Sequence, residues 1–122
     1  MTKFSNIELG QIGEKIACKF YTDNGFNVVA KNWRYSKIGE IDLILRKDYV
    51  LVFSEVKTRR DSSFALPCEA VNRSKQNRII KLAKIFIINN PTYRDFNVRF
   101  DVCQILVNNG CISLDLIENA FY

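Results

Sequence analysis

A chain of 122 residues, 48% hydrophobic and 25% charged, has the composition of a soluble globular protein, and we expect residues 1–122 to form a single domain. The net charge of +5 favours a polyanionic partner such as nucleic acid, and the absence of histidine excludes Ser-His-Asp and Cys-His catalysis and histidine-bound zinc. The sequence has no apolar run of membrane-spanning length and no secretory pattern, which predicts a cytoplasmic protein without membrane contact.

The first predicted element is a helix from about Ser5 to Asn24. Gly25 stands where a C-terminal cap belongs. Gly10, Gly13 and Ala17 are small, so we expect this helix to lie close against a sheet. Apolar residues recur at helical spacing and predict a buried stripe of Leu9, Ile12, Ile16 and Phe20.

Three strands are predicted next, in FNVVAKNWRY, EIDLILR and YVLVFSEVK, followed by a loop in TRRDSSFALPCEA. A second helix is predicted from about Glu69 or Val71 to Asn89, with an apolar stripe of Ile79, Leu82, Ala83 and Phe86. Two further strands, NVRFDVCQILV and CISLDLIENAF, are joined by the hairpin signal NNG. The order αβββαββ predicts an α/β fold in which helices flank a mixed central sheet on both sides.

The second and third strands carry charge at alternating positions. Alternate residues of a strand share a face, so Ile41, Leu43 and Leu45 are expected on a buried apolar face. The opposite face carries Ile44 and Phe53 near the turn. Away from the turn, that face is entirely charged and consists of Glu40, Asp42, Glu55 and Lys57.

A hairpin loop from Lys47 to Val50 would set Asp42 opposite Glu55 and Glu40 opposite Lys57. Like charges that face each other destabilise a sheet, and two carboxylates this close force one to hold a proton unless a cation lies between them. Their oxygen ligands suit Mg²⁺ or Mn²⁺. Spacing alone leaves open a structural cluster of ion pairs as the alternative.

Lys57 adds a cation to this face. An ammonium one strand step from a carboxylate that holds a metal can help to deprotonate or orient an attacking water, and it can neutralise charge on a phosphate. Two acids and a lysine on one side of a hairpin therefore match the needs of phosphodiester hydrolysis.

The hairpin resembles the signature of PD-(D/E)xK nucleases, because Asp42 is followed, after twelve intervening residues, by Glu55-Val56-Lys57. Ile41 stands where that signature often has proline. The element order resembles the restriction-endonuclease-like fold and, in particular, archaeal Holliday-junction resolvases. Nearly the whole chain resembles the YraN family of small bacterial proteins. The resemblance rests on the segments GEKIA, NWR, GEIDLI, VFSEVKTR, AVNRSKQNRI and RFDV.

This resemblance implies a three-layer sandwich of the restriction-endonuclease-like type and hydrolysis of DNA at branched or otherwise unusual structures. It implies that Glu14 joins Asp42 and Glu55 as ligands of Mg²⁺ or Mn²⁺, and that Lys57 completes the catalytic set. Glu40 is expected to have a supporting role. Resolvases of this fold act as two-fold dimers, so the resemblance also implies a homodimer.

The remaining candidate residues are those expected to hold nucleic acid. Asn72, Lys75 and Gln76 extend the sheet-facing side of the second helix, which indicates either a cleft beside the helix end or a first turn that meets water. Arg34 and Arg59 are placed to contact backbone phosphates. A nucleic-acid-binding module of the same fold with little or no activity is the alternative function, and a scaffold for a protein partner is a third.

Two further interpretations concern the interior. Trp33 is predicted to belong to the core, although its position also allows stacking on a base. Arg99 and Asp101 alternate with apolar residues in RFDV, and we interpret them as partners in a structural salt bridge.

Overall fold

A computed structural model describes residues 5–60, 71–108 and 110–121. These residues form two α-helices and five strands in the predicted order αβββαββ: α1 (Asn6–Asp23), β1 (Asn27–Tyr35), β2 (Gly39–Lys47), β3 (Val50–Arg60), α2 (Arg73–Asn89), β4 (Asn97–Asn108) and β5 (Cys111–Ile117). A 3₁₀ turn, Pro91–Tyr93, joins α2 to β4. The predicted loop after β3 lies mostly outside the described residues, in 61–70.

The five strands form one mixed sheet in the order β1-β2-β3-β4-β5. The strands β3 and β4 pair in parallel because α2 connects them across one face of the sheet, whereas every other neighbouring pair is antiparallel. The helix α1 packs on the opposite face, so each face of the sheet carries one apolar core. The predicted α/β three-layer sandwich is confirmed. Neither described helix is long and apolar enough to cross a lipid bilayer.

The buried face of α1 agrees with the predicted stripe at Leu9 and differs from it at Ile12, Ile16 and Phe20. It consists of Leu9, Gly13, Ala17 and Tyr21. A Cβ atom on Gly13 would overlap Thr58 Oγ1, so the helix approaches β3 more closely there than a larger residue allows. A Cβ atom on Gly10 would meet nothing within 4 Å, so the expectation of close packing is wrong for that glycine.

The helix α2 buries its predicted stripe. Its side chains Ile79, Leu82, Ala83 and Phe86 pack against the sheet with Phe53 and its neighbours. Trp33 packs against this core, with its ring edge-on to Phe86 at 5.2 Å between centroids. Trp33 also stacks on Tyr35 at 6.0 Å. The apolar side of the tryptophan therefore belongs to the core, as predicted.

The predicted apolar face of β2 is wrong for its first member. Leu43 and Leu45 pack on the α1 side, but Ile41 packs on the α2 side. The neighbouring strand explains the change, because Asn32 has a φ of 49° in the left-handed region. This residue breaks the alternation of β1, so Trp33 and its strand partner Ile41 both turn toward α2.

A buried polar network ties α1 to the sheet. Asp101 has no exposed surface and accepts two hydrogen bonds from Arg99, each at 2.9 Å, and a third from the Asn119 amide at 3.0 Å. The Tyr21 hydroxyl donates to Asp101 at 2.8 Å and lies 2.9 Å from Ser54 Oγ. Burial, together with the charge of Asp101, raises the pKa of Tyr21 far above its usual value. The Arg99–Asp101 pair is structural, as interpreted from the sequence.

Candidate functional site

The hairpin of β2 and β3 has the predicted register near its turn, where Ile44 lies opposite Phe53. Backbone pairing ends at Leu43 and Ser54, one residue before the predicted carboxylates. The two strands therefore separate at the position where the sequence places the site.

Asp42 fills the gap between the separating strands. Its Oδ2 accepts a hydrogen bond from the Val56 amide at 2.8 Å, so a side chain takes the place of a backbone acceptor in the neighbouring strand. Burial, a hydrogen bond with Glu55 and the charge of Glu55 together raise the pKa of Asp42 to about 9, against the lowering effect of the Val56 amide. Without a metal cation, the carboxylate pair therefore retains a proton at neutral pH.

Glu55 is the more deeply buried member of this pair, with 6% of its surface exposed. Its Oε2 atom is buried and accepts no hydrogen bond of good geometry from the described residues. The compensating charge comes from α2, where Lys75 Nζ lies 3.0 Å from Glu55 Oε2. The sequence predicted Lys75 as a phosphate contact, but the structure places it on the predicted metal ligand.

A second polar chain lies beside this pair. Asn32 Nδ2 donates to Glu14 Oε1 at 3.0 Å and to Glu40 Oε1 at 2.7 Å. Arg34 Nη2 donates to Glu40 Oε2 at 3.1 Å. The predicted pairing of Glu40 with Lys57 is wrong, because Arg34 lies directly opposite Glu40 in β1, whereas β2 has already separated from β3.

Two basic side chains of β3 that were predicted to contact a substrate are Lys57 and Arg59. Lys57 lies two residues beyond Glu55, half-buried and opposite Gln104 of β4, and it makes no ion pair with any residue that the structure describes. Arg59 has a buried Nε without a hydrogen-bond partner in the described ranges. Strand alternation places both side chains on the same face as Glu55.

The polar residues at the start of α2 have local partners. The Asn72 side chain caps the helix by accepting the Lys75 amide at 2.8 Å. Gln76 Nε2 donates to the Val71 carbonyl at 2.9 Å. These hydrogen bonds fix the first turn of the helix beside the carboxylates.

A cavity of about 250 Å³ collects these groups. It is lined by Glu40, Asp42, Glu55, Lys75, Arg78 and Ile79. Arg78 is not among the residues predicted from the sequence, although it follows Lys75 by three residues and so shares a helix face with it. Asn32 is also not among them, and its signal in the sequence is an asparagine within an apolar strand, since asparagine readily adopts a left-handed conformation.

The donor set decides which cation the site suits. Asp42 and Glu55 offer only oxygen atoms, and one of those atoms is buried without a hydrogen bond, so the pair fits a hard divalent cation such as Mg²⁺ or Mn²⁺ that takes its other ligands from water and substrate. Among the residues described, no three acidic, cysteine or histidine side chains form a metal-binding group. The Asn32 amide donates a hydrogen bond to the Glu14 carboxylate, and the charge of Glu14 also contributes to the raised pKa of Asp42. The role of Glu14 as a third ligand stays a prediction.

Comparison with known proteins gives one family. The model of the uncharacterised protein family UPF0102 matches residues 13–105. A UPF0102 protein of Clostridium botulinum (strain 657 / Type Ba4) is 39% identical over 120 residues, which cover 97% of each chain. A UPF0102 protein of Dictyoglomus turgidum is 40% identical over 119 residues, 96% of this chain and 99% of that protein. A third, from Caldanaerobacter subterraneus, is 37% identical over 124 residues, 99% of this chain and all of its own length.

Proposed function

We propose that this chain, which belongs to the UPF0102 family that its motifs identified as YraN, is a metal-dependent nuclease that hydrolyses phosphodiester bonds of DNA, at branched or otherwise unusual structures. The observation that carries the proposal is the contact between Asp42 and Glu55 where β2 leaves β3. In an ordinary sheet, two carboxylates in contact within a half-buried gap would destabilise the fold.

Each residue of the site has a proposed role. Asp42 and Glu55 would hold Mg²⁺ or Mn²⁺, and the bound ion would supply charge neutralisation at the phosphate and would lower the pKa of the attacking water. Lys57, without an ion pair among the described residues, orients the water and the scissile phosphate. Arg78 lines the same cavity and offers a planar donor group to phosphate oxygens. Arg34 neutralises Glu40 at the rim.

Glu14 is the proposed third ligand. Its carboxylate now accepts a hydrogen bond from Asn32, so the role requires that this hydrogen bond be exchanged for the cation. Glu14→Gln should then weaken Mn²⁺ binding less than Asp42→Asn does, because the residue is not part of the preformed pair.

Cleavage of DNA duplex, flap and four-way junction in Mn²⁺ tests the proposal. Asp42→Asn and Lys57→Ala should each lower the cleavage rate by at least about 100-fold, the range for loss of an electrostatic or acid–base group. Asp48→Asn is the matched control, because Asp48 lies exposed in the turn of the same hairpin. Cleavage by Asp42→Asn at the rate of the parent, in protein free of contaminating nuclease, would contradict the assignment.

The alternative is a nucleic-acid-binding module of the same fold without activity. The ion pair between Lys75 and Glu55 favours it, since the acidic cluster is neutralised without any metal. Titration with Mn²⁺ separates the two functions. A nuclease should bind Mn²⁺ in a manner that depends on Asp42, whereas a binding module should bind DNA equally well with and without the cation.

A further inference from the structure

The Lys75–Glu55 ion pair lies where a metal cation would be expected to act. Lys75 Nζ is 3.0 Å from Glu55 Oε2, and 6% of the Glu55 side chain is exposed. A buried carboxylate is strongly destabilising unless a positive charge compensates it. In the metal-free protein, this compensation comes from α2.

In the metal-free state, the Lys75 ammonium is paired with the buried Glu55 carboxylate. A divalent cation that bound this carboxylate while Lys75 stayed in place would set two positive groups beside one negative group. Positive charges a few ångströms apart repel each other strongly where water is largely excluded.

Lys75 is able to leave. Its side chain is 31% exposed, and it borders the cavity that Arg78 also lines. A lysine carries its charge on a flexible four-carbon stem, so the ammonium can leave the carboxylate without movement of the helix.

We propose that Lys75 is a built-in counter-ion that competes with the divalent cation for Glu55, and that the displaced ammonium then binds a phosphate of the substrate. This inference rests on the proposed function. It makes metal binding and phosphate binding cooperative. A metal ion at Glu55 frees the Lys75 ammonium to bind a phosphate, and a bound phosphate stabilises that ammonium away from Glu55. The nucleic-acid contact predicted for Lys75 from the sequence would then form only when the metal is present.

Lys75→Met tests the competition, with Lys81→Met as the matched control on the exposed face of the same helix. The metal-free Lys75→Met protein should have a lower Tm than the parent, since Glu55 no longer has its partner. Its Mn²⁺ dissociation constant, measured by calorimetry, should be about tenfold or more below that of the parent. Mn²⁺ should also raise its Tm by more than it raises the Tm of the parent. Lys81→Met should match the parent in Tm and in Mn²⁺ affinity.

The gating of the phosphate contact needs a second measurement. With Ca²⁺ in place of Mn²⁺ to prevent cleavage, Lys75→Met should weaken binding of a DNA duplex several-fold, and without a divalent cation it should leave the affinity unchanged. An equal reduction in both conditions would show an ungated contact and would overturn this part of the inference.

The failures of the two proposals are distinguishable. Mn²⁺ binding that depends on Asp42 in the parent, with equal or weaker binding in Lys75→Met, would overturn the counter-ion role and leave the proposed function intact. Absence of Asp42-dependent Mn²⁺ binding in the parent would overturn both.

Discussion

Asp42 is a side chain whose position makes the stability of the fold depend on pH. Its carboxylate accepts the Val56 amide and contacts a second acid, and its pKa is raised to about 9 from an ordinary value of 3.8. Between those two values the folded protein binds more protons than the unfolded chain. The free energy of unfolding of the metal-free protein should therefore fall as the pH rises through this window.

Asp42→Asn should remove this dependence. The amide keeps an acceptor for the Val56 amide and gains a donor for Glu55, so it imitates the protonated acid at every pH. We expect the parent to lose up to about 1.4 kcal/mol of unfolding free energy per pH unit in the alkaline part of the window. The variant should be flatter and more stable there.

Urea denaturation of both proteins across neutral and alkaline pH measures the difference in unfolding free energy. Asp48→Asn should follow the parent. A variant less stable than the parent under alkaline conditions would contradict the raised pKa.

At the scale of elements, α1 depends on the contact between a glycine and a strand. Gly13→Ala should destabilise the protein by about 1–2 kcal/mol, because the added methyl group meets Thr58 and this overlap outweighs the gain in helix propensity. Gly10→Ala is the matched control in the same helix. It meets open space and should stabilise the protein by up to about 1 kcal/mol. Thermal unfolding of both variants would show opposite shifts in Tm, and a stabilising Gly13→Ala would contradict the packing described here.

The same helix shows what periodicity predicts and what it does not. Helical spacing gave the bounds of α1 almost to the residue, because the capping residue Ser5 and the terminal Gly25 are local signals. It favoured the large apolar residues as the buried face, whereas close packing on β3 selects the small face of Gly13 and Ala17. Which face wins depends on the shape of the sheet, and that shape is not a local property.

The contact within the hairpin could be predicted from the sequence, whereas the residues that surround it could not. The contact of Asp42 with Glu55 followed from hairpin register, which a short turn determines. The partners Asn32 and Lys75 come from a neighbouring strand and from a crossover helix, so their positions depend on the assembled sheet. The left-handed conformation of Asn32 also reverses the face of its strand, which no alternating pattern anticipates.

At the scale of the whole molecule, positive charge is concentrated on α2. This helix carries no acidic residue, and its five basic residues are Arg73, Lys75, Arg78, Lys81 and Lys84. Its exposed face therefore extends the positive side of the candidate cavity and accounts for much of the net charge of +5. A polyanion that reaches the cavity would pass along this face.

Binding of DNA should accordingly weaken steeply with salt, through release of counterions. Replacing Lys81 and Lys84 together by alanine should reduce the slope of log K against log salt by about two, since each phosphate that a lysine neutralises adds about 0.9 to that slope. Fluorescence anisotropy over a salt series measures the slope. Lys19→Ala is the control, because that lysine lies on α1 in an ion pair with Asp23. An unchanged slope in the double variant would exclude this face from the interface.

The single tryptophan of the chain offers an optical view of the site without any label. Trp33 follows Asn32, whose amide links Glu14 to Glu40, and its ring rests on Phe86 and Tyr35. A rearrangement of that amide would change the environment of the indole, so the emission of one fluorophore reports on the acidic cluster. Quenching by Mn²⁺, which is paramagnetic, would be visible in the same spectrum and would time the arrival of the ion on the millisecond scale of a stopped-flow trace.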